Sequence, residues 1–102
     1  HKLQRSDLDG SNVETIVEDL SHPQGLAVDA VGGKLYWSDS GMLSDRIQRA
    51  NLDGSDIEDL VLEASSWGLA VDAAEEKLYW TDANAGRIQR SSLDGSDVED
   101  LL

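Results

Sequence analysis

Short apolar and polar runs alternate along this chain, and each run is too brief for a typical helix. Residues 26–29 form a small apolar run after a glycine, which is typical of a strand buried on both faces. Residues 34–38 follow a Gly-Gly pair and are rich in aromatic side chains. Residues 47–52 and 57–62 flank the Asp-Gly pair at 53–54, which predicts a two-residue hairpin. The pattern therefore predicts four short strands in succession.

The same four runs then recur. Gly-Leu-Ala-Val-Asp-Ala at 25–30 returns at 68–73, a shift of 43 residues, and Lys-Leu-Tyr-Trp at 34–37 returns at 77–80. A repeated unit of four strands in about 40 to 45 residues is the signature of a propeller blade. The sequence therefore predicts an all-β fold of four-stranded antiparallel β-propeller blades, about two and a half blades per chain.

The repeat divides the chain into a half-blade at 2–17, a blade at 25–62 and a blade at 68–102. So few strands leave open sheet edges at both ends of a partial ring. We therefore expect either a fragment of a longer propeller or a protomer completed by other copies of the chain. The chain starts at His1 with neither Met nor a signal-peptide pattern, which fits a processed or excised segment.

The composition is strongly acidic, with 21 Asp and Glu against 8 Lys and Arg and a net charge of −13. This charge disfavours binding to nucleic acid or to anionic lipid through general attraction. Many acidic residues fall in the predicted outermost strands, where charge discourages edge-to-edge pairing, so we interpret them as architectural. The absence of cysteine excludes disulfides and thiolate metal sites. No apolar run reaches the length of about 18 residues that a membrane span requires.

A tetrapeptide of two aromatic residues, a hydroxyl residue and an aspartate stands in the second strand of each blade: Tyr36, Trp37, Ser38 and Asp39 in one, Tyr79, Trp80, Thr81 and Asp82 in the other. Strand alternation places Tyr36 and Ser38 on one face and Trp37 and Asp39 on the other. We expect the tryptophan to fill the gap between neighbouring blades. The hydroxyl and the carboxylate suit backbone N–H groups of the following turn. Since the motif recurs in each blade, we interpret it as structural rather than catalytic.

The sequence Tyr-Trp-Thr-Asp at 79–82 lies between Gly-Leu-Ala-Val-Asp and Ile-Gln-Arg-x-x-Leu-Asp-Gly-Ser. These linked motifs resemble the YWTD family, the low-density-lipoprotein-receptor class B repeat, and in particular its bacterial members. The first full copy departs only by Ser38 in place of threonine. The resemblance covers nearly the whole chain and implies a six-bladed, extracellular or cell-surface propeller that binds protein ligands on a face of the disc. The cysteine-rich modules of the animal receptors are missing here, so their signalling roles do not transfer.

Other patterns suggest chemistry only weakly. The Asp-x-Asp-Gly sequence at 7–10 opens like a calcium loop, and Glu18 falls at the twelfth position. The internal copies replace the first aspartate by Asn51 and Ser92, so we interpret the sequence as a turn. The two histidines, His1 and His22, occupy unrelated contexts and do not form a metal-ligand pattern.

The recurring arginines, Arg49 and Arg90 among them, lie on one strand face. A half-buried arginine needs a carboxylate, and we expect aspartates of the Asp39 or Asp82 type to supply it. An exposed row of arginines for ligand binding is the alternative interpretation.

Candidate ligand contacts are the positions where the copies differ. Trp67 stands where the other copy has Gln24, and we predict both on a loop at the mouth of the channel, near His22. An aromatic side chain there suits a binding anchor, and packing against a neighbouring loop is the alternative. The longer loop at 40–45 carries Met42 and Leu43, which suit contact with a ligand, a neighbouring blade or another chain.

The sequence thus favours a non-catalytic propeller segment that serves as an interaction scaffold for a protein or peptide ligand. Two alternatives stay open: part of a propeller enzyme of the lactonase or hydrolase type, and a purely structural repeat, natural or engineered, without a ligand. We predict no cofactor, no metal, no nucleic acid and no membrane insertion. The expected partners are the rest of a propeller or other copies of the chain.

Overall fold

The computed structural model describes residues 1–41, 45–62, 66–82 and 85–102 of the chain. These residues form ten β-strands. In chain order they are β1 (Leu3–Arg5), β2 (Glu14–Val17), β3 (Pro23–Asp29), β4 (Lys34–Ser40), β5 (Asp45–Asn51), β6 (Glu58–Leu62), β7 (Ser66–Asp72), β8 (Lys77–Asp82), β9 (Arg87–Ser92) and β10 (Glu99–Asp100). The described part of the chain contains no helix of the length and apolarity needed to cross a membrane.

The strands form three antiparallel sheets in which sequence neighbours pair. One sheet has the order β3-β4-β5-β6, the second has β7-β8-β9-β10, and the third contains only β1 and β2. Strand β7 lies beside β3, so the two complete sheets meet along their first strands. The predicted all-β fold of about two and a half propeller blades is confirmed.

The hydrophobic core lies between the blades. One buried cluster, which includes Leu3, Leu35 and Trp37, joins the half-blade to the first blade. A second cluster joins the two complete blades and includes Tyr36 and Trp80. Successive aromatic residues of β4 therefore face opposite neighbours, as strand alternation predicts. Trp37 and Trp80 are at most 1% exposed, and burying a side chain of that size contributes about 4 to 6 kcal/mol of transfer free energy.

The first strands differ from the prediction in length and burial. Strand β3 begins at Pro23 and β7 at Ser66, so both reach further than the apolar run alone indicates. Leu26 and Val28 of β3 are 51% and 56% exposed, so the expectation of burial on both faces is wrong for this strand. Both residues border a cleft whose other wall is the half-blade, and that half-blade has only two strands to cover them.

The Asp-Gly sequences do not form the predicted two-residue hairpins. Six residues, 52–57, separate β5 from β6. The Asn51 N–H donates to the Ser55 carbonyl at 2.9 Å, and the Asp53 carboxylate accepts the Ser55 N–H at 2.9 Å. These bonds close a longer turn in which Gly54 has a φ of +89°. The aspartate thus holds the inside of the turn, while the glycine supplies the left-handed backbone.

Candidate functional site

The indole group of each motif tryptophan is hydrogen-bonded inside its own sheet. Trp37 Nε1–H donates to Gln48 Oε1 at 3.1 Å, and Trp80 Nε1–H donates to Gln89 Oε1 at 3.1 Å. Gln48 in turn donates to Asp59 at 2.8 Å. Sequence reasoning missed these glutamines, although each recurs in the Ile-Gln-Arg motif and pairs with its tryptophan in register.

The polar residues of the first motif tie the start of β3 to the end of β4. Ser38 Oγ accepts the Gly25 N–H at 2.9 Å and donates to the Ser66 carbonyl at 3.0 Å. The Asp39 carboxylate accepts the His22 N–H at 2.7 Å and the Ser21 N–H at 3.3 Å. The N–H groups that Asp39 holds therefore precede β3, whereas we expected them in the turn after β4. The reason is the antiparallel register, which pairs Asp39 with Pro23.

The second motif repeats part of this arrangement. Thr81 Oγ1 accepts the Gly68 N–H at 3.0 Å. The Asp82 carboxylate accepts the Ala85 N–H at 3.2 Å, which lies in the following turn as predicted, and also lies 3.5 Å from the Arg87 guanidinium. In both motif copies the hydroxyl and carboxylate oxygens thus accept hydrogen bonds from backbone N–H groups, which supports a structural interpretation of the motif.

The recurring arginines pair with glutamates of the outermost strands, not with the motif aspartates. Arg49 forms a salt bridge with Glu58, and Arg90 forms one with Glu99. The expected pairing with Asp39 or Asp82 is wrong because Arg49 lies across from Tyr36 and Glu58, whereas Asp39 lies across from Arg46. Arg49 and Asp39 therefore lie toward opposite ends of the paired strands β5 and β4, and their side chains are beyond reach of each other.

Each of these arginines also lies across from a motif tyrosine, Arg49 from Tyr36 and Arg90 from Tyr79. Burial raises the pKa of Tyr36, and the Arg49 guanidinium beside it only partly offsets that rise. Burial lowers the pKa of Arg49, but hydrogen bonds to Glu58 and Tyr36 outweigh it and leave this pKa above its ordinary value. Glu99 and then Tyr79 raise the pKa of Arg90 in the same way. Each arginine therefore stays charged and serves as a fixed crosslink between strands.

The predicted ligand contacts that the structure describes lie at one rim of the sheets. We call this the upper rim: residues 18–24, 39–41, 66–68 and 82. The His22 and Gln24 side chains are exposed there, and the His22 ring makes an edge contact with His1 at 5.4 Å between centroids. The Ser40 N–H donates to the His22 carbonyl at 3.0 Å, so the backbone that carries His22 is held from two sides.

The structure corrects the predicted location of two ligand contacts. Gln24 and Trp67 lie in strands β3 and β7, not on a preceding loop. Ser38 bonds both Gly25 and Ser66, and so brings the starts of these two strands together. The Trp67 side chain, Met42 and Leu43 lie outside what the structure describes. No group of three or more His, Cys, Asp or Glu side chains that could hold a metal ion occurs within the described ranges.

The low-density lipoprotein receptor repeat class B family matches residues 1–30 and 76–102 of this sequence. The chain belongs to this family. The vitellogenin receptor of Solenopsis invicta is 42% identical over 38 residues, which are 37% of this chain and 2% of the receptor. The family resemblance seen in the YWTD motifs is therefore confirmed.

Solved structures give the same result for the fold. A chain of the nidogen/laminin complex superposes with a TM-score of 0.87 at 33% identity, covering 99% of this chain and 40% of that one. TolB from Acinetobacter baumannii superposes with a TM-score of 0.83 at 16% identity, covering 99% of this chain and 26% of TolB. A TolB protein from Agrobacterium tumefaciens gives 0.81 at 20% identity, with 99% of this chain and 40% of that one covered. The TolB matches show the fold alone. The chain spans less than half the length of each of these proteins.

Proposed function

We propose that this chain is a non-catalytic YWTD propeller segment that binds a protein or peptide ligand at its upper rim. The observation that carries the proposal is that the backbone at that rim is held by hydrogen bonds while its side chains remain exposed. The motif oxygens of Ser38 and Asp39 hold the backbone of β3, while the side chains of His22 and Gln24 on that backbone stay exposed. Rigid, exposed positions of this kind limit the entropy cost of binding.

The comparisons support a protein as the ligand class. The nidogen propeller was solved in a complex with laminin, so a structural relative at 33% identity engages a protein. Receptors that contain this repeat support an extracellular or cell-surface setting. Within the proposed site, His22 and Gln24 are joined by Trp67, Met42 and Leu43 as predicted contacts.

We also propose that blades outside these 102 residues, or other copies of the chain, complete a six-bladed ring. The proposed units are the half-blade 2–17 and the blades 25–62 and 68–102. Contacts between successive units support this proposal because they repeat. Arg5 Nη1 donates to the Leu52 carbonyl at 2.9 Å, and Arg49 Nη1 donates to the Leu93 carbonyl at 2.8 Å. The same geometry directs Arg90 toward the corresponding leucine of a following unit, which is Leu8 if that unit is another copy.

The glycine-containing turns form a second kind of contact that repeats between successive units. A Cβ atom at Gly54 would lie 2.2 Å from the Ile16 carbonyl oxygen, and one at Gly95 would lie 2.5 Å from the Leu60 carbonyl oxygen. Each turn therefore packs on the outermost strand of the preceding unit. The equivalent Gly10 has no such neighbour within 4 Å, and the adjacent Leu8 is fully exposed. The half-blade thus presents a docking surface that matches the two interfaces already formed.

The ligand proposal is tested by selecting ligands for the whole chain. A phage-displayed library of random peptides is panned against the immobilised protein, and dissociation constants of the selected peptides are measured by calorimetry. For the double variant His22→Ala/Gln24→Ala we expect at least about tenfold weaker binding, equivalent to about 1.4 kcal/mol. The matched control is Val31→Ala, an exposed apolar position beyond the opposite end of β3.

Equal loss of affinity in the control, or none in the double variant, would contradict the proposed site. A library that yields no binder at all would favour a purely structural repeat. The thermal midpoint of each variant must stay near that of the unmodified chain, because only then does a loss of binding report on contact and not on folding.

A further inference from the structure

Two turns of this chain have the same five residues in the same structural position. The sequence Leu-Asp-Gly-Ser-Asp stands at 52–56 between β5 and β6, and again at 93–97 between β9 and β10. An aspartate that precedes glycine is prone to isomerisation, because no glycine side chain hinders the approach of the backbone nitrogen to the aspartate carboxyl group. Since the two turns are identical in sequence, a difference in their reactivity must come from the fold.

The folded turn engages both reacting groups in hydrogen bonds. The Gly95 N–H donates to the Ser92 carbonyl at 2.9 Å. Asp94 Oδ1 accepts the Ser96 N–H at 3.0 Å and the Ser96 hydroxyl at 2.6 Å. The turn at Asp53 has the same three bonds, at 2.9, 2.9 and 2.6 Å. Because attack requires the nitrogen to approach the carboxyl carbon in line, each aspartate reacts only when its turn opens locally.

A side chain fastens the first of these turns but not the second. Asn51 Nδ2 donates to Ser55 Oγ at 3.0 Å and to Asp56 Oδ2 at 2.9 Å. Asn51 Oδ1 accepts a hydrogen bond from Lys34 Nζ at 2.7 Å, so the same side chain is anchored to the neighbouring strand β4. We call these three bonds the Asn51 brace. The equivalent residue of β9 is Ser92, whose shorter side chain makes no hydrogen bond to its turn among the described residues.

We propose that Asp94 is a site of spontaneous isomerisation to isoaspartate, and that the Asn51 brace protects Asp53 in the identical turn from the same reaction. The Gly95 nitrogen attacks Asp94 Cγ, the bond from Cγ to the carboxyl hydroxyl oxygen breaks, and this hydroxyl group leaves as water with the proton of the nitrogen. Water then adds to the main-chain carbonyl carbon of Asp94 in the resulting succinimide ring. The bond from that carbon to the Gly95 nitrogen breaks, and the main chain now runs through Cγ. One water is released and one is consumed, so no further reactant is needed.

The brace controls how often each turn opens. The rate of isomerisation is proportional to the population of the open turn, because the closed turn does not react. Loss of one hydrogen bond raises such a population by about three- to tenfold. We therefore expect Asp94 to isomerise about three- to tenfold faster than Asp53 in the folded chain.

Isoaspartate at position 94 would lengthen the main chain between two contacts that join the blades. On one side, the Leu93 carbonyl accepts Arg49 Nη1 of the preceding blade at 2.8 Å. On the other side, Gly95 lies so close to β6 that a Cβ atom there would be 2.5 Å from the Leu60 carbonyl oxygen. One added main-chain carbon shifts these contacts relative to each other. The modification therefore weakens the interface between the blades 25–62 and 68–102 as the protein ages.

The test incubates the folded full chain at physiological temperature and neutral pH and follows isoaspartate over several weeks by mass spectrometry. Trypsin releases Asp53 and Asp94 in separate peptides, residues 50–77 and 91–102. Isoaspartate in each peptide is identified by electron-transfer fragmentation and by its methylation with an isoaspartyl carboxyl methyltransferase. The same incubation in concentrated urea is the reference, because both turns are open there and we expect equal rates.

Reciprocal exchange of the brace separates its effect from every other difference between the two blades. Asn51→Ser should raise the rate at Asp53 about three- to tenfold and leave the rate at Asp94 unchanged. Ser92→Asn should lower the rate at Asp94. The matched control is Asp94→Glu, which must abolish the isoaspartate signal of its peptide because glutamate cannot form the five-membered ring.

The proposal is overturned if the folded chain isomerises equally fast at both positions or faster at Asp53, or if neither exchange changes the rate at its own turn. The isoaspartyl form of the chain, separated by chromatography, should unfold at a lower urea concentration than the unmodified form. An equal midpoint would contradict the weakened contact between the blades.

Discussion

Three equivalent glycines have different neighbours, so substitution by alanine should lower the free energy of unfolding by a different amount at each. Gly10, Gly54 and Gly95 have φ values of +87°, +89° and +87°. Alanine in this left-handed region costs about 1 to 2 kcal/mol at any of the three positions. At Gly54 the new methyl carbon would also lie 2.2 Å from the Ile16 carbonyl oxygen, whereas at Gly10 it would meet nothing within 4 Å.

A carbonyl oxygen of the neighbouring backbone cannot rotate away as a flexible side chain can. Overpacking of this kind adds about 1 to 3 kcal/mol. We therefore expect Gly54→Ala to lower the free energy of unfolding by about 2 to 5 kcal/mol, and Gly10→Ala by only about 1 to 2 kcal/mol. Gly95→Ala should resemble Gly54→Ala, because its methyl carbon would lie 2.5 Å from the Leu60 carbonyl oxygen.

The assay is urea unfolding followed by the fluorescence of the three tryptophans, with the transition midpoint compared at constant slope. The unmodified chain is the reference, and Gly10→Ala is the matched control because it shares the backbone penalty. Equal destabilisation at Gly10 and Gly54 would refute the argument that each turn packs on the preceding unit. In an assembled ring, Gly10→Ala should weaken association more than it weakens folding, since only a preceding unit supplies the missing neighbour.

Three further predictions concern the motif and the turns. Tyr36→Ala should cost about 3 to 5 kcal/mol of unfolding free energy, and Tyr79→Ala clearly less, because Tyr36 is 1% exposed and Tyr79 is only partly buried; thermal unfolding measures both. Ser38→Ala removes two hydrogen bonds at the junction of the blades and should cost about 1 to 3 kcal/mol by urea unfolding; a neutral result would contradict the bridging role. Hydrogen bonds from the Ser55 hydroxyl and N–H lower the pKa of Asp53, so its contribution to stability is present above the unfolded pKa and is lost as pH falls through the lower folded pKa. Ser55→Ala should therefore raise the pKa of Asp53 in an NMR titration, and an unchanged value would argue against the turn geometry.

Strand alternation was enough to predict the burial of the motif tryptophans. It placed Trp37 and Tyr36 on opposite faces of their strand, and the structure shows that these two faces pack in different buried clusters. The repeat likewise predicted the number of blades, because a period of four strands has one common architecture. These features depend on local periodicity, which can be read directly from the sequence.

Features that depend on cross-strand register were not predictable from one strand alone. The partner of Arg49 is Glu58, and the partner of the Trp37 indole is Gln48. Both pairings follow only once β4, β5 and β6 are aligned. The upper rim shows the same limit, since Gln24 lies in β3 and Asp39 of β4 holds the backbone that precedes it.

The most direct test of the account is to map where a library-selected peptide binds on the isotope-labelled chain by chemical-shift perturbation. The account predicts that the largest shifts fall on the amides of His22, Gln24 and Ser40, whose backbone the motif oxygens and strand pairing hold at the upper rim. Shifts confined to the turns at residues 30–33 and 73–76, at the opposite ends of β3 and β7, would contradict it.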